Sequence, residues 1–348
     1  MSSRTDLAFS LPGGIPRLPI HAGALKAYID LGLMKPNAMI CTSAGAMVAS
    51  AIPDLSGAAF DRAIPILGNL SPSQIFSFRS SLKFKAAALG LSSLGLGAIM
   101  LFDDQISKGK KITLGIAGLC ALLATEGIVA KELLYSESLF SIDPLINLLG
   151  RELHFNAIFN SDIEIQVLVA DMNRPGECMF SNHDSQNCSQ RWLNILRATS
   201  RLPGKFPFIV IDGKNMVDGE VWTDFPITQL KRYRRVVRFD YWSPLQPEPS
   251  PRVWISDLTR SFDIMRDRCT QKKMEFYEYE RKVNPSLPDI FNIRLSQKLF
   301  AQMPQMKIHS FTPDDMKAMM NIGYQAVIEQ GEAIKHYLDT GNVCEFAA

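Results

Sequence analysis

Residues 37–52, NAMICTSAGAMVASAI, change character at a single serine. NAMIC reads as a short apolar strand, and AMVASAI continues with helix-forming residues. Between them stand Thr42, Ser43, Ala44 and Gly45, all small. A chain that passes from a buried strand into a helix without a loop must turn sharply. Such a turn tolerates only small side chains two residues before and two residues after its apex, here Cys41 and Gly45. At the apex a serine hydroxyl is lifted clear of the sheet. The first amides and the positive dipole end of the following helix face the same point. A relaxed match of this kind also fits an ordinary small turn, so the rest of the chain decides between the two readings.

Other segments repeat the strand-then-helix order. DLAFSLPGG (6–14) reads as a buried strand running into a glycine-rich turn, and HAGALKAYIDLGL (21–33) follows at helical spacing until Gly32 and Pro36. DIEIQVLVADM (162–172) and RRVVRFDYW (234–242) have strand length and β-branched content. The stretches 256–283 and 314–338 each predict a helix with a mixed polar face. Strands alternating with helices predict an α/β layered fold with a mainly parallel sheet, and no internal repeat is visible.

One segment departs from that pattern. Residues 86–102 contain no charge, and residues 112–130 contain only Glu126. As helices they would measure about 25 and 28 Å, close to a hydrocarbon core of about 30 Å. Glycines, alanines and serines along both runs would let two helices approach closely. Lys83, Lys85, Lys108, Lys110, Lys111 and Lys131 punctuate them. The segment 80–135 is therefore expected to be an inserted apolar helical hairpin, either buried in the core or entering or spanning a membrane.

Composition narrows the function classes. With 47% apolar and 21% charged residues, the 348-residue chain is globular in character, and a net charge of +2 creates no global field for nucleic acid. Six cysteines without a C-x-x-C pair argue for reduced thiols and against a structural zinc, and no metal or cofactor is expected. The first fourteen residues lack the apolar core of a cleavable signal, which predicts a cytoplasmic or peripherally membrane-associated protein.

Two further segments give Ser43 chemical company. Gly13 and Gly14, in the turn after the first strand, can present backbone amides to a developing oxyanion. Asp218-Gly219-Glu220 follows an apolar stretch, where an aspartate at a strand end can reach a serine hydroxyl and act as general base. Together these segments resemble the patatin-like phospholipase family. CTSAG (41–45) keeps four residues of that family's Gly-Thr-Ser-Ala-Gly motif, with Cys41 in place of the first glycine. Gly13, Gly14, Arg17, Gly23 and Leu25 fall at the spacing of its glycine-rich loop, with Ile15 and Leu18 where glycines are usual. Asp218, Gly219 and Pro226 match its aspartate motif, with Glu220 and Asp224 departing. LRATSRLPGKFPF (196–208) resembles the segment that precedes the family's aspartate.

The resemblance implies a three-layer α/β/α fold over one domain spanning 1–348, with 80–135 inserted. It implies a lipid acyl hydrolase of phospholipase A or lysophospholipase type, with Ser43 as nucleophile, Asp218 as base and Gly13 and Gly14 as oxyanion donors. The implied partner is a phospholipid or other lipid ester at a membrane surface; the motifs name neither a headgroup nor an activating protein. A catalytically degenerate lipid-binding protein of the same fold is the alternative. A histidine base is a further alternative, with His309 or His336 in the chain order of a Ser-Asp-His triad but neither marked by its surroundings. His21 falls where many bacterial members of the family have histidine, and His154 and His183 complete the set. The run KRYRRVVR (231–238) could meet anionic headgroups or be a solvated helix end, and Asp171 reads as a turn residue at the end of a strand.

Overall fold

The computed structural model of the protein describes residues 5–14, 16–75, 77–78, 140–174, 176–202, 206–223, 225–241, 254–304 and 311–343. The apolar hairpin expected within 80–135 lies outside the described residues, as do Ile15, Asp224 and His309.

The strands, in chain order, are β1 (Thr5–Leu11), β2 (Ala38–Cys41), β3 (Ser77–Phe78), β4 (Phe140–Ser141), β5 (Glu164–Asp171), β6 (Glu177–Ser181), β7 (Ile209–Ile211), β8 (Lys214–Asp218), β9 (Tyr233–Phe239) and β10 (Ile290–Ile293). Except for the small β3–β4 pair, they form one sheet in the order β10-β9-β1-β2-β5-β8-β7, with β6 also on β5. From β10 to β5 every pairing is parallel, whereas β6, β8 and β7 add antiparallel. The expected mainly parallel sheet is thus present, with a mixed edge beyond β5.

The helices are α1 (Arg17–Asp30), α2 (Ala44–Ala51), α3 (Gly57–Gly68), α4 (Pro72–Ile75), α5 (Asp143–Glu152), α6 (Phe155–Phe159), α7 (Ser189–Ala198), α8 (Ile227–Leu230), α9 (Trp254–Val283), α10 (Gln297–Ala301), α11 (Pro313–Glu329) and α12 (Gly331–Thr340). They cover both faces of the sheet, so the inner strands β1, β2 and β5 are largely apolar rather than strictly alternating. Leu7, Phe9 and Leu11 of β1 point into a large core that includes α1, α2, α3, α7 and α11. Ala8 of the same strand joins a smaller core with Leu230 of α8 and Tyr277 of α9. That alternation is the period of two expected of a strand between two layers.

Helix α1 is buried on nearly all sides, from Arg17 to Tyr28 with few exceptions. Its contact with α11 is close because each helix brings a glycine to the crossing. A Cβ on Gly23 would overlap the Met320 carbonyl, and one on Gly323 would overlap the Ile20 carbonyl. α11 begins at a capping box in which Thr312 Oγ1 accepts from Asp315 N and Asp315 Oδ2 accepts from Thr312 N, with Pro313 in the first turn. The single helix expected over 314–338 is two. Gln330 turns the corner, its Nε2 donating to the carbonyls of Ala326 and Arg294 at 2.7 Å each. Among the described residues no helix is long and apolar enough to cross a membrane.

Candidate active site

β2 ends at Cys41, and the chain enters α2 through Thr42 and Ser43. Ser43 has φ 48° and ψ −117°, a conformation that costs a residue with a side chain about 1–3 kcal/mol. Its neighbours enforce that geometry. Thr42 N donates to Leu11 O at 3.1 Å, Gly45 N to Thr42 O at 2.9 Å, and Ser43 N to Thr199 Oγ1 at 2.9 Å. Thr199 Oγ1 in turn donates to Leu168 O at 2.7 Å, tying the serine turn to the middle of β5. A Cβ at Gly45 would collide with the Leu11 carbonyl, so the small residue is required there. Ala44 opens α2, and Thr42 is buried. Cys41 is fully buried, and burial pushes its thiol well above the usual range, so it packs rather than reacts.

Strand register brings Asp218 to this turn. β6 lies along one edge of β5, from Gln166 to Ala170. β2 lies along the other edge and stops at the pair Cys41–Val167. β8 continues on the edge that β2 leaves, with Asp218 opposite Val169. The serine turn and the end of β8 are therefore neighbours on one edge of one strand. Asp218 is 1% exposed; its N donates to Arg201 O at 3.1 Å, and its Oδ1 accepts from Glu220 N at 3.0 Å. Gly219 packs against Leu168, and a short 3-10 turn, Gly219–Val221, carries Glu220 inward to 5% exposure.

The glycine turn closes the third side. A Cβ on Gly13 would lie 2.5 Å from Ser43 Cβ and 2.7 Å from Glu220 Oε1, so only glycine passes between them. Gly14 adopts φ +105°. Two side chains one turn apart on α1 fix the carbonyls: Arg17 Nη1 donates to Gly13 O at 2.9 Å, and His21 Nε2 donates to Pro12 O at 2.8 Å. In a trans peptide the C=O and N–H point in opposite directions. With the Pro12 and Gly13 carbonyls drawn toward α1, the Gly13 and Gly14 amides turn away from it. Arg17 Nη1 also lies 3.9 Å from Glu220 Oε1, and both side chains are almost wholly buried.

His21 is the neutral tautomer protonated at Nε2, because Pro12 O can only accept. Burial lowers its pKa to about 3, overcoming the opposing hydrogen bond to Pro12, and the Arg17 charge adds to the lowering. Between pH 6.5 and 3 the unfolded chain therefore binds a proton here that the folded chain refuses. The stability associated with this group is complete above pH 6.5 and is lost as the pH falls, at up to about 1.4 kcal/mol per unit. His21→Gln, which keeps an N–H for Pro12 O, is expected to flatten that part of the slope in urea unfolding at pH 7, 6 and 5. An unchanged slope would contradict the burial argument.

His154, His183, His336 and Asp171 sit elsewhere in the architecture. His183 Nε2 donates to Ser161 O at 2.8 Å, His154 precedes α6, and His336 lies in α12. Asp171 Oδ1 accepts from Asn173 N at 2.9 Å and caps the turn after β5, as its sequence context suggested. In the basic run, Arg238 is buried, donates to Asp240 Oδ2 at 2.6 Å and stacks on Phe225, so that residue faces the interior.

The family model described as Patatin-like phospholipase matches residues 9–231, more than half of the chain and all of the turns just described. The chain belongs to the patatin-like phospholipase family. The family is, by its description, one of lipid acyl hydrolases, and the chain shares its architecture, a mixed, mostly parallel sheet flanked by helices. No curated protein sequence matches the chain. Among solved structures it is similar to VipD from Legionella pneumophila at 13% identity and a TM-score of 0.40, over 97% of this chain and 67% of that one. It is also similar to ExoU in the heterodimeric ExoU–SpcU complex of the Pseudomonas aeruginosa type III secretion system, at 14% identity and a TM-score of 0.32. That match covers 97% of this chain and 52% of the other, so the chain spans about half the length of that neighbour.

Two features of the patatin-like site were not singled out from the sequence. Thr199 lies within the segment 196–208 that resembles the family, but its contact with Ser43 joins residues 156 apart. The approach of Arg17 to Glu220 likewise joins two motifs read separately.

Proposed function

We propose that the protein cleaves carboxylic esters of phospholipids or lysophospholipids through an acyl-serine intermediate, with Ser43 and Asp218 as its catalytic dyad. The observation that supports this most directly is the shared β5 edge, which sets the strained serine turn beside the buried aspartate at the end of β8. Asp218 takes the proton from Ser43 Oγ as the oxygen attacks the ester carbonyl. The negative charge that develops on the carbonyl oxygen is met by the outward amides of Gly13 and Gly14 and by the positive dipole end of α2. Collapse breaks the ester C–O bond, and the alcohol leaves with the proton held by Asp218. Water, deprotonated by Asp218, then attacks the acyl-serine. The Ser43 Oγ–acyl bond breaks, Oγ takes the proton back from Asp218, and the fatty acid is released.

A non-hydrolytic lipid-binding protein is the rival reading, and the residues that favour it are those that depart from the family motifs, Cys41, Ile15 and Glu220. Incubation with a fluorophosphonate separates the two. Stoichiometric modification at Ser43 is the result expected of an activated serine, and an unmodified protein would exclude the dyad.

The segment 86–130 belongs to the same proposal, as the part that holds the enzyme at a lipid surface. Its two runs are near the lower length limit for spanning, and Glu126 lies toward the end of the second run. Replacing 84–131 by a short Gly/Ser linker is expected to abolish co-sedimentation with anionic vesicles. Hydrolysis of a short soluble ester should continue at a rate within about threefold of the parent, because the segment lies outside the family match's catalytic motifs. If the shortened protein unfolds, the hairpin is part of the core and the surface role falls.

A further inference from the structure

We infer that Glu220 is a positioning residue that orients the oxyanion-binding amides of Gly13 and Gly14 by holding Arg17, an inference that rests on the acyl-hydrolase reading above. Family resemblance assigns this position no such role, since Glu220 stands where the motif has a small residue. Its backbone and side chain serve two different loops. The Glu220 N–H donates to Asp218 Oδ1 at 3.0 Å, which orients the carboxylate of the base. Its own carboxylate reaches back toward Arg17, with Oε1 3.9 Å from Nη1.

Arg17 Nη1 donates to Gly13 O at 2.9 Å, and the Arg17 backbone N donates to Gly14 O at the same distance. Rotation of the Gly13–Gly14 peptide would move the Gly13 carbonyl away from Arg17 and swing the Gly14 amide out of the cleft. Glycines on both sides of that peptide offer little resistance, because neither carries a Cβ to restrict φ and ψ. A guanidinium held between the carbonyl and a buried carboxylate supplies the resistance. Burial of both partners, at 5% and 4% side-chain exposure, keeps their attraction unscreened by salt. The same packing sets Glu220 Oε1 and Ser43 Cβ on one side of Gly13, at 2.7 and 2.5 Å from its would-be Cβ. The glycine loop thereby packs against both nucleophile and carboxylate.

The experiment is a double-mutant cycle on hydrolysis of a short soluble ester, with a spectroscopic arm that does not require turnover. Glu220→Ala, Glu220→Gln, Arg17→Met and the doubles are assayed for kcat and KM. The Gly13 and Gly14 amide resonances are followed in 15N-glycine-labelled full-length protein. Glu220→Ala is expected to lower kcat about 10- to 100-fold at nearly constant KM, comparable to a weakened oxyanion donor. Glu220→Gln, which keeps an oxygen for Arg17 and the side-chain volume, should recover part of the loss. In the Arg17→Met background the same substitutions should change little, and Glu220→Ala and Arg17→Met should shift the Gly14 amide resonance alike. An equal loss in both backgrounds, an unchanged kcat in Glu220→Ala, or unmoved glycine resonances would overturn the inference. A parent protein that neither hydrolyses the ester nor labels with fluorophosphonate would instead count against the acyl-hydrolase reading. The glycine resonances would still decide the role of Glu220.

Discussion

Ser43→Ala is expected to lower fatty-acid release from phospholipid or lysophospholipid vesicles by about 10⁴-fold or more, because the acyl-enzyme path disappears with the hydroxyl. The fold should survive. The contacts that set the turn are made by the backbone of residues 42–45, by Thr199 and by the packing of Gly45 under Leu11, and alanine retains all of them. Ser43→Gly provides a companion measurement. It too should be inactive, yet glycine adopts φ 48° without the clash that a Cβ incurs, so urea unfolding should show it about 1 kcal/mol more stable than Ser43→Ala. An active Ser43→Ala protein would end the proposed mechanism, and equal stabilities of the two variants would show that the turn is not strained.

Gly323→Leu is expected to be the most damaging single substitution outside the site. At this position even a Cβ would fall on the Ile20 carbonyl, and Gly23 meets the Met320 carbonyl in the same crossing. Neither backbone can retreat alone, since α1 is buried against the sheet and α11 against α1 and α3. A leucine side chain must push the helices apart and open the core that they share with β1. The cost expected is about 3 kcal/mol or more, enough to leave much of the protein unfolded or insoluble at 37 °C. Gly57→Ala is the matched control: nothing lies within 4 Å of its would-be Cβ in the first turn of α3, and its stability should change by less than about 1 kcal/mol. Wild-type unfolding of Gly323→Leu would refute the close crossing.

Much of the fold was legible because its informative elements are local. The β1 turn leading to α1, and the β2 turn leading to α2, each announce themselves by a change of hydrophobic period with small residues at the change. The strand at 164–171 carries the apolar run Val167–Ala170, and the strand at 233–239 carries Val236 and Val237 at its buried centre. What could not be read is non-local. Nothing in LRATSR shows that Thr199 will accept from Ser43 and donate to Leu168, since those partners meet only when α7 docks on β5. Nothing in the aspartate motif shows that β8 will occupy the edge of β5 that β2 vacates. Register of that kind is decided by pairing across the whole chain. The corner at Gln330 escaped for a smaller reason: Gln and Gly are both admissible inside a helix, and the break depends on a side-chain hydrogen bond to Arg294 in another segment.

The place of β1 in the sheet also bears on how the protein is made. β1 lies between β2 and β9, and β9 lies between β1 and β10. A chain growing from its N-terminus can pair β1 with β2, and β2 with β5, while the far edge of β1 waits for residues 233–239. Until then a row of backbone amides and carbonyls flanked by Leu7, Phe9 and Leu11 has no strand to satisfy it, and such an edge recruits other chains. Ser43 and Asp218 will both have been synthesised while the middle of the sheet is still open. The growing chain therefore carries both residues on an unfinished scaffold, and the sheet closes only when residues 233–239 fill the open edge of β1.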